Sequence, residues 1–105
     1  MSLKDGVYYS ELYGEYSALL TENQRSVFEM YFSLDLSLGE IAEIKSVSRQ
    51  SVQDSISKVK KSLETFEEKL GLVQKKKAIY ELIDAHKDKK VQEIAPQIKQ
   101  ILGED

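Results

Sequence analysis

Six apolar residues, Val52, Ile56, Val59, Leu63, Phe66 and Leu70, follow one another at steps of four, three, four, three and four. That rhythm lays them along one narrow side of an α-helix, whereas a strand would need a period of two. Ser48 stands before the run, with a hydroxyl able to accept from an amide of the first turn, and Gly71 stands after it, free to take a positive φ. The spacing therefore predicts one helix from Ser48 to Leu70, about six turns long. What leads into it is Ser37-Leu38-Gly39-Glu40-Ile41-Ala42-Glu43-Ile44 and a short turn. A short capped helix, a tight turn and a second helix with polar residues at its start form a helix-turn-helix, which presents side chains to a DNA major groove.

The rest of the chain also reads as helix. Tyr9, Leu12, Tyr13, Tyr16, Leu19 and Leu20 have helical spacing, which predicts a first helix between Asp5 and Leu20 whose tyrosines bury their rings and leave their hydroxyls wet. Tyrosines so closely set could also offer a base-stacking platform; at helical spacing the core and boundary reading carries more weight. Thr21 with Gln24 predicts a capping box, with Leu20 as its staple, and Val27, Phe28, Tyr31, Phe32 and Leu34 a buried stripe. Leu38, Ile41 and Ala42 should face inward on the short helix, with Val47 plugging the corner. Beyond Gly71, Leu72 to His86 repeats the amphipathic pattern with Lys75, Lys76 and Lys77 on a solvated face, and Asp88 to Lys90 reads as a polar connection. Val91, Ile94, Ala95, Ile98, Ile101 and Leu102 make a last stripe, which Pro96 should kink or split in two.

The expected class is thus all-α: one domain over residues 1–105, a helix-turn-helix core over 20–63 and a C-terminal helical extension over 72–105. No apolar run approaches the roughly 18 residues of a membrane span, and the first residues lack a secretion signal's apolar core. With no cysteine in the chain, a cytoplasmic protein without membrane insertion is the expectation.

Chemistry needs a nucleophile with a base, a paired acid and base, a phosphate cradle or a metal cluster. None is legible. His86 is the sole histidine, Glu67 and Glu68 point apart on a helix, and the glycines are isolated. An enzyme is not expected, nor a metal or cofactor. The helix-turn-helix is the constellation with a mechanism. Arg49, Gln50 and Gln53 would meet base edges, where arginine pairs guanine and glutamine pairs adenine through two hydrogen bonds. Ser37 and Ser48, with the amides at their helix starts, would hold phosphates, and Lys58 and Lys61 would serve the backbone. Against this stands the net charge of −3, because phosphate neutralisation supplies most nucleic-acid affinity. From Leu20 to Leu63 six acids balance six bases, and Asp54 would face a phosphate or need a cytosine amine. A usable positive surface has to gather Arg49, Lys58 and Lys61 on one face with Gln53. Scattered among acids, they would favour a protein- or RNA-binding adaptor instead.

The run Leu20-Thr21-Glu22-Asn23-Gln24-Arg25, with Ser37-Leu38-Gly39-Glu40-Ile41-Ala42-Glu43 and Val47-Ser48-Arg49-Gln50-Ser51-Val52, resembles the DNA-reading fourth region of bacterial sigma factors. It resembles still more the YlxM family, small proteins of Gram-positive bacteria, and the likeness extends through Leu63-Glu64 to Glu67, Lys69 and Leu70. The resemblance implies a helical bundle with a sigma-region-four-like helix-turn-helix of the winged-helix-like superfamily. It also implies Arg49, Gln50 and Gln53 as DNA readers in a regulatory protein, and a link to the signal recognition particle, whose protein or RNA is then a candidate partner. The chain departs from the family where Lys45-Ser46 replaces an apolar residue and glycine, with Ile44 expected to supply the lost core contact, and where Gln53 stands for a frequent tyrosine. Leu63, Phe66, Leu70 and Val73 extend past the helix-turn-helix and need covering, more economically by the chain's own C-terminal helices, or else by a second chain. Because helix-turn-helix readers commonly use paired half-sites, a homodimer stays open as the alternative. The target sequence, the effector and the sense of regulation have no signature in the chain.

Overall fold

The computed structural model describes residues 3–103, all of whose regular elements are helical. They fall into two compact units, Met1–Leu70 and Gly71–Asp105. In the first, α1 (Leu3–Tyr16) ends in a single 3-10 turn (Ser17–Leu19), and α2 (Glu22–Phe28) runs on into a π-helical turn (Glu29–Ser33). Then follow α3 (Leu38–Lys45) and α4 (Arg49–Leu70).

Each start is set by a local side-chain bond. Thr21 Oγ1 accepts from the Gln24 amide at 3.1 Å while the Thr21 amide donates to Gln24 Oε1 at 2.9 Å, the predicted capping box. The staple is different from expectation. Leu20 is buried, but the position that should meet it is Arg25, whose Nη1 donates to the Leu20 carbonyl at 2.6 Å and to that of Ser17 at 3.2 Å. A guanidinium therefore closes this corner through the Ser17 and Leu20 carbonyls rather than through an apolar contact.

The π turn corrects a second expectation. The Leu34 amide reaches back five residues to the Glu29 carbonyl at 2.9 Å, and the wider turn carries the chain out of phase with the stripe. Leu34, expected inside, is 66% exposed.

Between α3 and α4 the chain makes a Schellman turn. Ser46 sits at φ 57°, ψ 45°, its amide donating to Glu43 at 3.2 Å and that of Val47 to Ala42 at 3.0 Å. Serine thus occupies the left-handed position that glycine favours, at a cost of about 1–2 kcal/mol. Val47 and Ile44 do not plug the corner: they are 46% and 58% exposed. What ties the end of α3 to α2 is polar, Lys45 Nζ donating to Asn23 Oδ1 at 3.1 Å.

The apolar side of α4 is covered in two parts. Val52 and Ile56 pack with Val27 of α2 and with Ile41 and Ala42 of α3. Further along, α1 takes over: Leu12, Tyr16, Val59 and Leu63 are buried, and the Tyr16 ring lies 5.9 Å from that of Phe66. Tyr13 stacks on Phe28 at 4.1 Å, as a core residue does. The tyrosine hydroxyls also bond to carboxylates: Tyr9 to Glu64, Tyr13 to Glu29 at 2.8 Å and Tyr16 to Glu67 at 2.5 Å. The first two of these bonds lie at the exposed surface and that of Tyr16 is part-buried, and α4 supplies the acceptor on each of two successive turns for Tyr9 and Tyr16.

The second unit is a helical pair, α5 (Leu72–Ala85) and α6 (Lys89–Ile101), entered through Gly71 at φ 62°. Asp88 is no plain connection: its carboxylate caps α6 by accepting from the Lys90 amide at 2.7 Å. Pro96 lies inside a single helix, not between two. Its ring keeps a helical φ, so its first cost is the one bond that its missing amide cannot donate. Ile83 and Ala95 are buried, whereas Leu82, Ile94 and Ile101 of the predicted stripes are 62%, 49% and 84% exposed.

Ser46→Gly should raise stability by about 1 kcal/mol, read as a higher urea midpoint, because the left-handed strain outweighs the entropy glycine adds to the unfolded chain. Titration at 295 nm should show two tyrosines ionising late. The bond to Glu64, with burial, pushes Tyr9 up to about 12, and burial, with the bond to Glu29, pushes Tyr13 up to about 12. Because the folded values lie above the unfolded 10.0, this stabilisation is complete below pH 10 and is lost as the pH rises towards about 12. Melting temperature should fall across that interval, and less steeply in Tyr9→Phe.

Candidate nucleic-acid interface

The leading end of α4 is built from its cap outward. Ser48 Oγ accepts from the Ser51 amide at 3.0 Å, and the Ser48 carbonyl takes the Val52 amide at 3.1 Å. Over the first two turns only Val52 turns inward; Ser48, Arg49, Gln50, Ser51, Gln53 and Asp54 are exposed. The bend at Ser46 thus leaves this end uncovered, which is the geometric condition for entering a groove.

Some of the named side chains already have partners. Gln50 Nε2 donates to Asp54 Oδ1 at 3.0 Å, so the acid that would oppose a phosphate holds a glutamine instead. Ser37 is half of a second capping box, with Ser37 Oγ accepting from the Glu40 amide at 3.1 Å and the Ser37 amide donating to Glu40 Oε1 at 3.0 Å. The amide and the hydroxyl of Ser37 hold the Glu40 carboxyl below the ordinary 4.5. A negative charge therefore already occupies the start of α3. Arg49 lies back over that same turn: a methyl placed on Gly39 would stand 3.9 Å from Arg49 Nε and 3.9 Å from Ser37 Oγ. Ser37 and Arg49 thus both border Gly39.

The cations do not gather on one face. At about 100° per residue, Gln53 is about 40° round the helix from Arg49, while Lys58 is about 180° away and Lys61 about 120°. Lys58 and Lys61 line a surface cleft with Gln24, Ser62, Thr65 and Phe66. On the other flank Lys60, which the sequence did not single out, sits 5.2 Å from the Tyr9 ring centre and 5.8 Å from that of Phe32. Its neighbours there are the acids Glu64 and Glu67, bonded to α1. Lys60 follows the buried Val59 directly, but its aromatic partners belong to other helices and no local spacing announces them.

The profile of the family described as "Putative helix-turn-helix protein, YlxM / p13 like" matches residues 3–101. The chain belongs to this UPF0122 family. A UPF0122 protein of Thermoanaerobacter sp. (strain X514) is 49% identical over 80 residues, 76% of this chain and 68% of the relative. One from Caldanaerobacter subterraneus is 48% identical over 84 residues, 80% of this chain and 72% of the relative. One from Bacillus cereus (strain AH187) is 53% identical over 64 residues, 61% and 58% of the two chains.

Across this UPF0122 chain, no group of three or more His, Cys, Asp or Glu among the described residues could hold a metal ion. No helix among them is long and apolar enough to cross a membrane. His86 is exposed, its Nδ1 2.8 Å from the Leu82 carbonyl oxygen at the end of α5.

Ser48→Ala should cost about 1 kcal/mol, read by denaturant, because the Ser51 amide loses its acceptor. Glu40→Gln should flatten the acid limb of stability. The depressed carboxyl stabilises the fold above its ordinary 4.5 and stops doing so as the pH falls through its lower folded value, so wild type and variant should converge there.

Proposed function

We propose that this chain is a non-enzymatic regulatory protein that binds duplex DNA through the leading end of α4. The observation that carries the reading is the free, capped start of α4 behind a left-handed bend, with Arg49, Gln50 and Gln53 exposed on it. In this reading Arg49 and Gln53 meet base edges, and Gln50 exchanges its Asp54 partner for a base. Ser48 meets a phosphate at the start of α4, Ser37 does so at the start of α3 only by giving up its Glu40 partner, and Lys58 and Lys61 serve the backbone. The divided cations count against a single positive face. They do not count against a groove, because a helix seated there has one strand on each flank and needs a cation on both sides. A second copy completes the reading as a homodimer on paired half-sites, and the exposed Leu82, Ile94 and Ile101 of the second unit supply apolar surface for it.

One observation favours a second reading. The scatter of Arg49, Lys58 and Lys61, with the acids Asp54, Glu64 and Glu67 on the same helix, suits an adaptor that contacts the protein or RNA of the signal recognition particle without reading DNA. The family resemblance supports that setting, and a cytoplasmic location, for either reading.

Selection of bound sequences from a random duplex pool, followed by fluorescence titration, separates the two. A sequence preference that Arg49→Ala and Gln50→Ala each weaken by about 1–3 kcal/mol supports the reader. No enrichment, together with co-purification of the particle's GTPase from cells, would sink it and leave the adaptor.

A further inference from the structure

One flank of α4 repeats the apolar rhythm one residue out of step. Ser51, Ser55, Lys58, Ser62, Thr65 and Lys69 follow at steps of four, three, four, three and four, each just ahead of a member of the apolar run. They therefore form a second line, turned about 100° from the buried one and about 27 Å long. Each carries a hydroxyl or an ammonium, and none is an acid. The acids of the second half of α4 lie elsewhere: Glu64 and Glu67 receive the tyrosines of α1 on the far flank, and Glu68 points outward.

This flank opens on the first turn of α2 through two clefts. One is lined by Asn23, Lys45, Val47, Ser51 and Ser55, with the buried Val27 and Val52 beneath. The other is lined by Gln24, Lys58, Lys61, Ser62 and Thr65, with Phe66 beneath. Ser55, Ser62 and Thr65 are half-buried and set back, while Lys58 and Lys61 are exposed at the rim. The acids within a helical turn of it are Asp54, four residues before Lys58 and held by Gln50, Glu64, three after Lys61 and bonded to Tyr9, and Glu68, three after Thr65; Glu22 lies beside Lys45 in the adjoining hollow. Short neutral donors along the floor and flexible cations along the rim match a chain of phosphates joined by sugars: the charges meet the ammoniums and the ester and ring oxygens meet the hydroxyls.

We propose that this flank is a track for the sugar–phosphate backbone of a nucleic acid, engaged without regard to sequence, beside the base-reading end of α4. The proposal rests on the reading that α4 meets nucleic acid, and adds which flank holds the strand and through which groups. It also gives the acidic chain a local source of phosphate affinity.

The test is the salt dependence of binding, by fluorescence anisotropy, to a mixed-sequence DNA duplex and to an RNA hairpin. Each phosphate neutralised contributes a slope of about −0.9 in log K against log salt on duplex DNA. Lys58→Ala/Lys61→Ala should therefore flatten the slope by about two on the preferred probe. Ser55→Ala/Ser62→Ala should weaken binding about five-fold per bond lost while leaving the slope intact, because neutral donors release no counterions. Gln50→Ala/Gln53→Ala should leave the slope unchanged. All three pairs alter α4, so each is compared only where its urea midpoint shows a folded protein; Lys61→Gln, a single exposed change, gives a slope loss of about one as the independent check.

An unchanged slope in Lys58→Ala/Lys61→Ala on both probes overturns the track, even where the duplex is bound with sequence preference and the reader stands. A slope loss on the RNA hairpin with no duplex binding upholds the track and removes the DNA reader. Failure of the wild type to bind either probe at low salt removes both.

Discussion

The burial of one side of α4 is the constraint from which the rest of the structure follows. Val52, Ile56, Val59 and Leu63 are each withdrawn from water, a gain of about 1.5–3 kcal/mol apiece before the entropy of ordering is subtracted. No single short helix can cover a line that long. The α2 and α3 helices take its first two turns and α1 takes the next, so three separate pieces of chain are positioned by one surface. Because the covered side is narrow, most of the circumference of α4 stays in water, and the same helix that organises the core also carries nearly every side chain with a claim to function.

Around that surface the corners are closed by polar groups. Arg25 reaches the carbonyls of Ser17 and Leu20, Lys45 reaches Asn23, and the tyrosines of α1 reach the carboxylates of Glu64 and Glu67. These bonds explain how an acidic chain is put together. Two of the carboxylates of α4, Glu64 and Glu67, serve as acceptors on its α1 flank, and the line from Ser51 to Lys69 itself contains no acid. Charge on this helix is sorted by flank, and a net value for the chain hides the sorting. The same sorting places Lys60 over aromatic rings and Lys58 in a cleft, although two positions along the helix are all that divide them.

The bend between α3 and α4 joins this core to the exposed end. A serine in a left-handed conformation is a local strain, and it persists because the amides of Ser46 and Val47 satisfy carbonyls of α3 and because Lys45 anchors the end of that helix. The lost apolar contact at this corner is not recovered by Ile44 or Val47, both of which stay largely exposed. Family membership is compatible with such a change: the turn keeps its shape through backbone bonds, which do not depend on the side chain at Ser46.

Helix periods, caps and breakers were legible from residues alone, since each depends on neighbours a few positions apart. The helix from Arg49 to Leu70, the boxes at Thr21 and Ser37, the left-handed position at Ser46 and the stop at Gly71 are of this kind. So was the exposure of Arg49, Gln50 and Gln53, because the residues beside an apolar stripe must face the other way. Tertiary structure alone decided what lies opposite each position: that α1 covers Leu63 and Phe66, that tyrosine hydroxyls find glutamates some fifty residues away, and that a π turn swings Leu34 outward. It also decided that Arg49 lies over Gly39 while Lys58 lies beside Gln24. The division has one physical cause. Spacing along a chain determines the direction of a side chain relative to its own helix axis, and only the packing of helices against one another determines what it meets there.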